Sequence, residues 1–95
     1  MRFVWDEDKA RSNLAKHGVP FTIAELIFYD PLRVTMMDTG DHHEVRWQSI
    51  GTLPTGLTLF VVHTERSDRD GTPIYRIISA RRATRAERRR LEEGT

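Results

Sequence analysis

Cysteine is absent from the 95 residues, which excludes disulfides, thiolate catalysis and cysteine-based zinc sites. No apolar run is long enough to span a bilayer. Met1 to Trp5 leads straight into Asp6 without a signal-peptide pattern, so the cytoplasm is the expected compartment. No Gly-rich phosphate loop, nucleotide fingerprint or protease signature is visible. A strong excess of one charge is also missing. Fifteen Lys plus Arg stand against 14 Asp plus Glu, a net charge of +1, which taken alone argues against a general nucleic-acid binder.

The charge that is present is unevenly placed. Residues 76–95 carry seven Arg against three Glu, a net +4, whereas the other 75 residues sum to −3. The chain is therefore dipolar, and its positive end has direction. A solvated helix face is the plain alternative for such a charge run.

Ninety-five residues predict one domain, 1–95, with a modest core. Arg2 to Trp5 reads as a short opening strand. Asp6 is a helix N-cap, Lys16 and His17 fill the last turn, and Gly18 and Pro20 stop the helix. Ala10 and Leu14 share its inner stripe. A second helix follows, with Thr22 and Glu25 as a capping box and Phe21 and Leu26 as a hydrophobic staple. Ile23, Leu26 and Ile27 carry its helical spacing, and Asp30-Pro31 ends it. The rest reads as a β meander with strands over 32–37, 44–52 and 57–65, the last containing the unbroken run LFVV. A loop over 66–73 precedes a strand from Ile74. Thr84 and Glu87 then form a capping box for a last helix. The expected class is α+β: a short N-terminal strand, two N-terminal helices, an antiparallel sheet of about four or five strands, and a C-terminal helix.

In the strand from Ile74, alternation puts Ile74, Arg76, Ile78 and Ala80 on one face and Tyr75, Ile77, Ser79 and Arg81 on the other. Arg81, Arg82 and Arg85 crowd the junction with the last helix. Like charges held this close point to an anionic partner, and the guanidinium fork suits phosphate or carboxylate. Ser79 shares the face of Arg81, where it can hydrogen-bond near bound phosphate.

Other residues carry two readings each. His63 and Glu65 share a strand face, and a histidine that titrates near neutrality suits proton transfer; the alternative is a polar residue partly buried at a strand end. Lys16-His17 either completes the helix dipole or serves as a phosphate contact or proton donor. Trp47 either stacks on a base or belongs to the core, and Trp5 reads as core. His42-His43, between Asp41 and Glu44, fits no standard zinc spacing and reads as a solvated loop. No metal site and no cofactor are expected.

The order of these segments is itself informative. FVWDEDKARSNLAKHGVPF, EVRWQSIG, LFVVHTER and RIISARRATRAERR occur in succession over nearly the whole chain. WDxxKxxxNxxKHG followed by ISARRATxxER resembles the BrnT toxin family. That resemblance implies a RelE-like fold and a ribonuclease toxin of a type II toxin–antitoxin system, inhibiting translation by metal-independent RNA cleavage. It also implies a BrnA-like antitoxin with a ribbon-helix-helix DNA-binding part, paired with the toxin in a 2:2 heterotetramer that reaches operator DNA only through the antitoxin. Such cleavage requires activation of the 2′-hydroxyl, stabilisation of phosphorane charge and protonation of the leaving oxygen. Arg66, Arg81 and Arg82 are the expected phosphate clamp, with Ser79 beside them. His63 is the expected acid/base and Glu65 an alternative proton acceptor. Lys16, Trp47 and Arg85 are expected to hold RNA. The resemblance departs at Leu91, where relatives often carry tyrosine. The competing reading is a non-catalytic module whose arginine surface docks an acidic protein or nucleic acid.

Overall fold

A computed structural model of the chain describes residues 1–40 and 43–94. Asp41 and His42, half of the histidine-rich loop segment, lie outside the described residues. Strand β1 spans Arg2–Val4 and helix α1 spans Glu7–His17. Local chemistry sets both ends of α1. The Asp6 carboxylate accepts from the N–H groups of Asp8 and Lys9 at 2.8 and 3.1 Å, satisfying donors that have no partner inside the helix. Gly18 takes the left-handed conformation (φ 72°) and donates to the Leu14 carbonyl, a conformation that glycine adopts at no steric cost.

The second helix differs from expectation. Helix α2 spans only Phe21–Ala24 and continues as a 3-10 turn over Glu25–Tyr29. Pro20, not Thr22, is its N-cap, and its carbonyl accepts from Ile23 and Ala24. Thr22 therefore already lies inside the first turn and cannot cap it, so the Thr22–Glu25 box does not form. Leu26 and Ile23 remain exposed, as does Leu14 in α1, whereas Ile27 and Phe28 are buried.

Four longer strands follow: β2 (Val34–Asp38), β3 (Arg46–Thr52), β4 (Thr58–Ser67) and β5 (Pro73–Arg82), then helix α3 (Arg85–Glu93). The sheet order is β1-β5-β4-β3-β2. All neighbours are antiparallel except β1, which pairs parallel to the start of β5, so the sheet is mixed. The expected long loop shrinks to 68–72, because β4 and β5 stay paired as far as Ser67 and Pro73. Asp68 closes that turn by accepting from the N–H groups of Asp70 and Thr72.

One face of the sheet packs under α1 and α2. Leu59, Val61, Tyr75, Ile77 and Ala80 meet Val19, Phe21, Ala24, Ile27 and Phe28 there. The other face carries a smaller cluster, Ile50, Phe60 and Ala83, against which Leu91 of α3 packs. At Gly51 the 3-10 turn approaches β3 so closely that a Cβ would stand 2.8 Å from the Ile27 Cβ.

The register of β5 changes once. Val62 lies opposite Ser79, but the next residue, His63, lies opposite Ile77, so Ile78 is the extra residue of a β-bulge. Beyond the bulge the alternation reverses. Tyr75, Ile77, Ala80 and Arg82 lie on the α1–α2 face, and Ile74, Arg76, Ser79 and Arg81 lie on the α3 face. The uniform alternation read from the sequence holds only up to Ile77.

Candidate active site

Helix α1 runs beside the edge of β5 that short β1 leaves uncovered. Asn13 joins them. Its amide nitrogen donates to the carbonyls of Ala80 (2.8 Å) and Val19 (3.2 Å), and its oxygen accepts from the Ala80 N–H at 3.1 Å. The side chain thus substitutes for a neighbouring strand at that position. Lys9, Asn13 and Lys16 stand at i, i+4 and i+7, which places them along one flank of the helix. Between this flank and the bulge lies an open cleft of about 350 Å³, lined by Lys9, Ser12, Lys16, His17, Ile78 and Ser79, with Asp8 and Asn13. Two lysines, a histidine and two serines line one volume, with one aspartate. Such a set can hold an anion and exchange a proton with it.

The His63 environment is of another kind. Its side chain is completely buried, with the Phe28 and Tyr75 rings edge-on at 4.9 and 5.7 Å. Nε2 lies 2.7 Å from the Ser49 hydroxyl, which lies 2.8 Å from the Thr35 hydroxyl. With Nδ1 protonated and facing the Thr64 carbonyl at 3.3 Å, Nε2 accepts from Ser49 and Ser49 accepts from Thr35. Burial pushes the imidazole pKa down to about 4, so the ring is neutral at pH 7.

Arg81 is likewise committed. It donates to both carboxylate oxygens of Glu87, at 2.8 and 2.9 Å, and lies over the Phe60 ring at 4.2 Å. Glu87 simultaneously accepts from the Thr84 N–H, completing the capping box expected for α3. Burial opposes ionisation of Glu87, but the Arg81 guanidinium and the Thr84 N–H hold its carboxyl below the usual range. The pair raises the Arg81 pKa in turn.

Residues 5–87 match a family described as "Ribonuclease toxin, BrnT, of type II toxin-antitoxin system". The chain belongs to the BrnT family. The fold agrees with that of the Brucella abortus ribonuclease toxin BrnT, with a TM-score of 0.61 and 23% identity, over 90% of this chain and 99% of that one. No curated protein sequence matches. As a BrnT-family member, the protein is a ribonuclease toxin of a type II toxin–antitoxin system.

Against that family assignment, the residues expected to form one BrnT site divide into separate places. His63 is sealed beneath Phe28 and Tyr75, because β4 turns it toward the helices. Arg66 and Arg81 share the opposite face, but their β4 positions, Arg66 itself and Phe60 opposite Arg81, are six residues apart. At ~3.3 Å per residue that is about 20 Å, too far to clamp one phosphate. Glu65 is solvent-facing at the far end of β4, with its oxygen 4.0 Å from His63 Nδ1. Arg82 and Arg85 are exposed around the start of α3. Trp47 is partly buried on the face of His63, its cross-strand partner. The expected convergence of His63, Arg66 and Arg81 is therefore not made. Lys16 and Ser79 do come together, joined by His17 and by Lys9, which the reading of single residues passed over. The signal for Lys9 lay in the WDxxKxxxNxxKHG spacing. Among the described residues no group of three His, Asp or Glu side chains gathers to hold a metal, and no helix is long and apolar enough to cross a membrane.

Proposed function

We propose that this protein is a single-domain, cytoplasmic endoribonuclease that cleaves RNA in the cleft between α1 and the β5 bulge, without a metal, and thereby inhibits translation. The observation that carries this reading is the convergence of Lys9, Lys16, His17 and Ser79 on one open cleft. In-line attack of a 2′-hydroxyl on the adjacent phosphate builds negative charge on the phosphorane. The Lys9 and Lys16 ammonium groups supply the compensating charge, and the Ser79 hydroxyl donates to a non-bridging oxygen. His17, half-buried at the helix end, donates a proton to the leaving 5′-oxygen, while solvent water on the opposite side takes the proton of the 2′-hydroxyl. Exposed Arg82 and Arg85 lie nearby in the chain as electrostatic guides for RNA.

The partner in this reading is a BrnA-like antitoxin with a ribbon-helix-helix part, bound in a 2:2 complex that reaches operator DNA through the antitoxin. The test is cleavage of a defined transcript by antitoxin-free protein, with and without ribosomes, in the presence of a chelator. Lys16→Ala and His17→Ala are expected to lose cleavage at least 100-fold with folding unchanged. Full cleavage by both variants overturns this assignment of the cleft.

A further inference from the structure

A second cationic feature lies on the sheet face that carries Ser79. Thr64 on β4 stands opposite Arg76 on β5. Arg46 precedes Trp47, and Trp47 pairs with His63 on the helix-covered face, so alternation turns Arg46 toward the side of Thr64 and Arg76. Glu44 reaches over this row. Its Oε1 accepts from Nη2 of Arg76 and stands 3.8 Å from Nε of Arg46, beyond hydrogen-bond distance. The Arg46 Nε is buried and has no acceptor among the described residues. One carboxylate oxygen is thus shared by two guanidiniums and fully serves only one. The trio carries a net charge of +1, with Asp38 opposite Arg46 on the neighbouring strand, and Glu44 does not meet the hydrogen-bonding capacity of the Arg46 Nε. A phosphate presents more oxygens than the one Glu44 offers here and suits guanidinium forks.

The fork adjoins the cleft. Lys9 of α1 acts electrostatically on Glu44, alongside Arg76 and Arg46. Arg76 and Ser79 face the same way, and their β4 partners, Thr64 and Val62, are two residues apart, a step of about 7 Å. We propose that Arg46 and Arg76 form a second phosphate site, which receives the RNA backbone next to the linkage being cleaved, and that Glu44 occupies this site until RNA displaces it. The proposal rests on the cleft being where RNA is cut. Glu44 is 43% exposed, so its carboxylate can turn to water when phosphate takes its place, and Arg46 Nε then gains its missing acceptor.

The test is binding of a fully 2′-O-methylated single-stranded RNA, which cannot be cleaved, measured over a range of salt. Arg46→Gln and Arg76→Gln are each expected to weaken binding about tenfold and to lower the slope of log K against log salt by about one. Glu44→Gln, at an exposed position, is expected to tighten binding severalfold, and the Arg46 Nε–Hε NMR signal of the wild type should shift when this RNA is added. Unchanged affinity in both arginine variants, with binding still weakened by Lys16→Ala, overturns the second site and leaves the cleft standing. Weaker binding by Glu44→Gln overturns the placeholder role. Absence of any RNA binding by the wild type overturns the cleft reading and this site together.

Discussion

Asn13→Ala is the substitution that most directly tests how the cleft is built. The native side chain serves three buried backbone groups, the Ala80 N–H and carbonyl and the Val19 carbonyl. Truncation leaves all three without that partner. Each buried polar group left unsatisfied costs ~1–3 kcal/mol. Water entering from the open cleft satisfies part of the deficit, and alanine favours helix over asparagine by roughly 0.5 kcal/mol. The net expected loss is about 3 kcal/mol, a large share of the ~5–15 kcal/mol typical of a domain. With a urea m-value of ~1–3 kcal/mol/M, the denaturation midpoint falls by at least about 1 M. Asn13→Asp sharpens the test. The carboxylate still accepts from Ala80 N–H but points negative charge at two carbonyls, so it should be at least as damaging at pH 7 and recover as the group is protonated. Urea titration and hydrogen exchange of the Ala80 amide measure both effects. A loss below about 1 kcal/mol for Asn13→Ala, with Ala80 still protected, would refute the view that this amide stands in for a strand.

Three further predictions follow from the same geometry. The folded His63 pKa, about 4, lies below the ~6.5 of an unfolded chain, so between these values the unfolded state binds more protons. Its contribution to stability is complete above pH 6.5 and falls with pH by ~1.4 kcal/mol per unit, to a total of about 3 kcal/mol; denaturation midpoints against pH should show this slope in the wild type and not in His63→Gln. Arg81→Met leaves the Glu87 carboxylate, only 18% exposed, without its partner. The loss expected is about 1–2 kcal/mol, limited by solvent around the guanidinium, with faster tryptic cutting in α3. Gly51→Ala brings a Cβ to 2.8 Å from that of Ile27 and 3.2 Å from its carbonyl oxygen. Thermal unfolding should report a loss of ~1–3 kcal/mol from this overpacking, and an unchanged melting temperature would contradict the close approach.

The parts of the fold legible in the sequence are those fixed by neighbours in the chain. Asp6, Gly18 and the Thr84–Glu87 box mark helix ends because capping is a contact within one turn. The same logic misplaces the second helix. Thr22 and Glu25 have the right spacing, but Pro20, with its φ already fixed, offers its carbonyl first and starts the helix earlier. LFVV marks the central strand because both of its faces are covered. The faces of β5 are not legible, since a bulge is fixed by pairing with β4 and leaves no local mark in IYRIISARR. His63 misleads for a related reason. Beside Glu65 it has the spacing of a catalytic pair, yet only the packing of Phe28 and Tyr75 decides that the ring is sealed and neutral.

The bulge at Ile78 therefore determines what the surface can do. Arg76 precedes it and Ser79 follows it, three positions further along the chain. In a regular strand an odd separation puts them on opposite faces. One inserted residue restores them to the same face, sets Ser79 on the wall of the α1 cleft, and leaves Arg76 beside Glu44. It also turns Arg81 toward α3, where Glu87 takes it up. The arginine-rich C-terminal segment thus contributes differently on either side of Ile78. Arg76 before it pairs with the exposed Glu44, and Arg81 after it holds the last helix. Crowding of guanidiniums in the sequence carries no direction; the sheet register decides which face each of them takes.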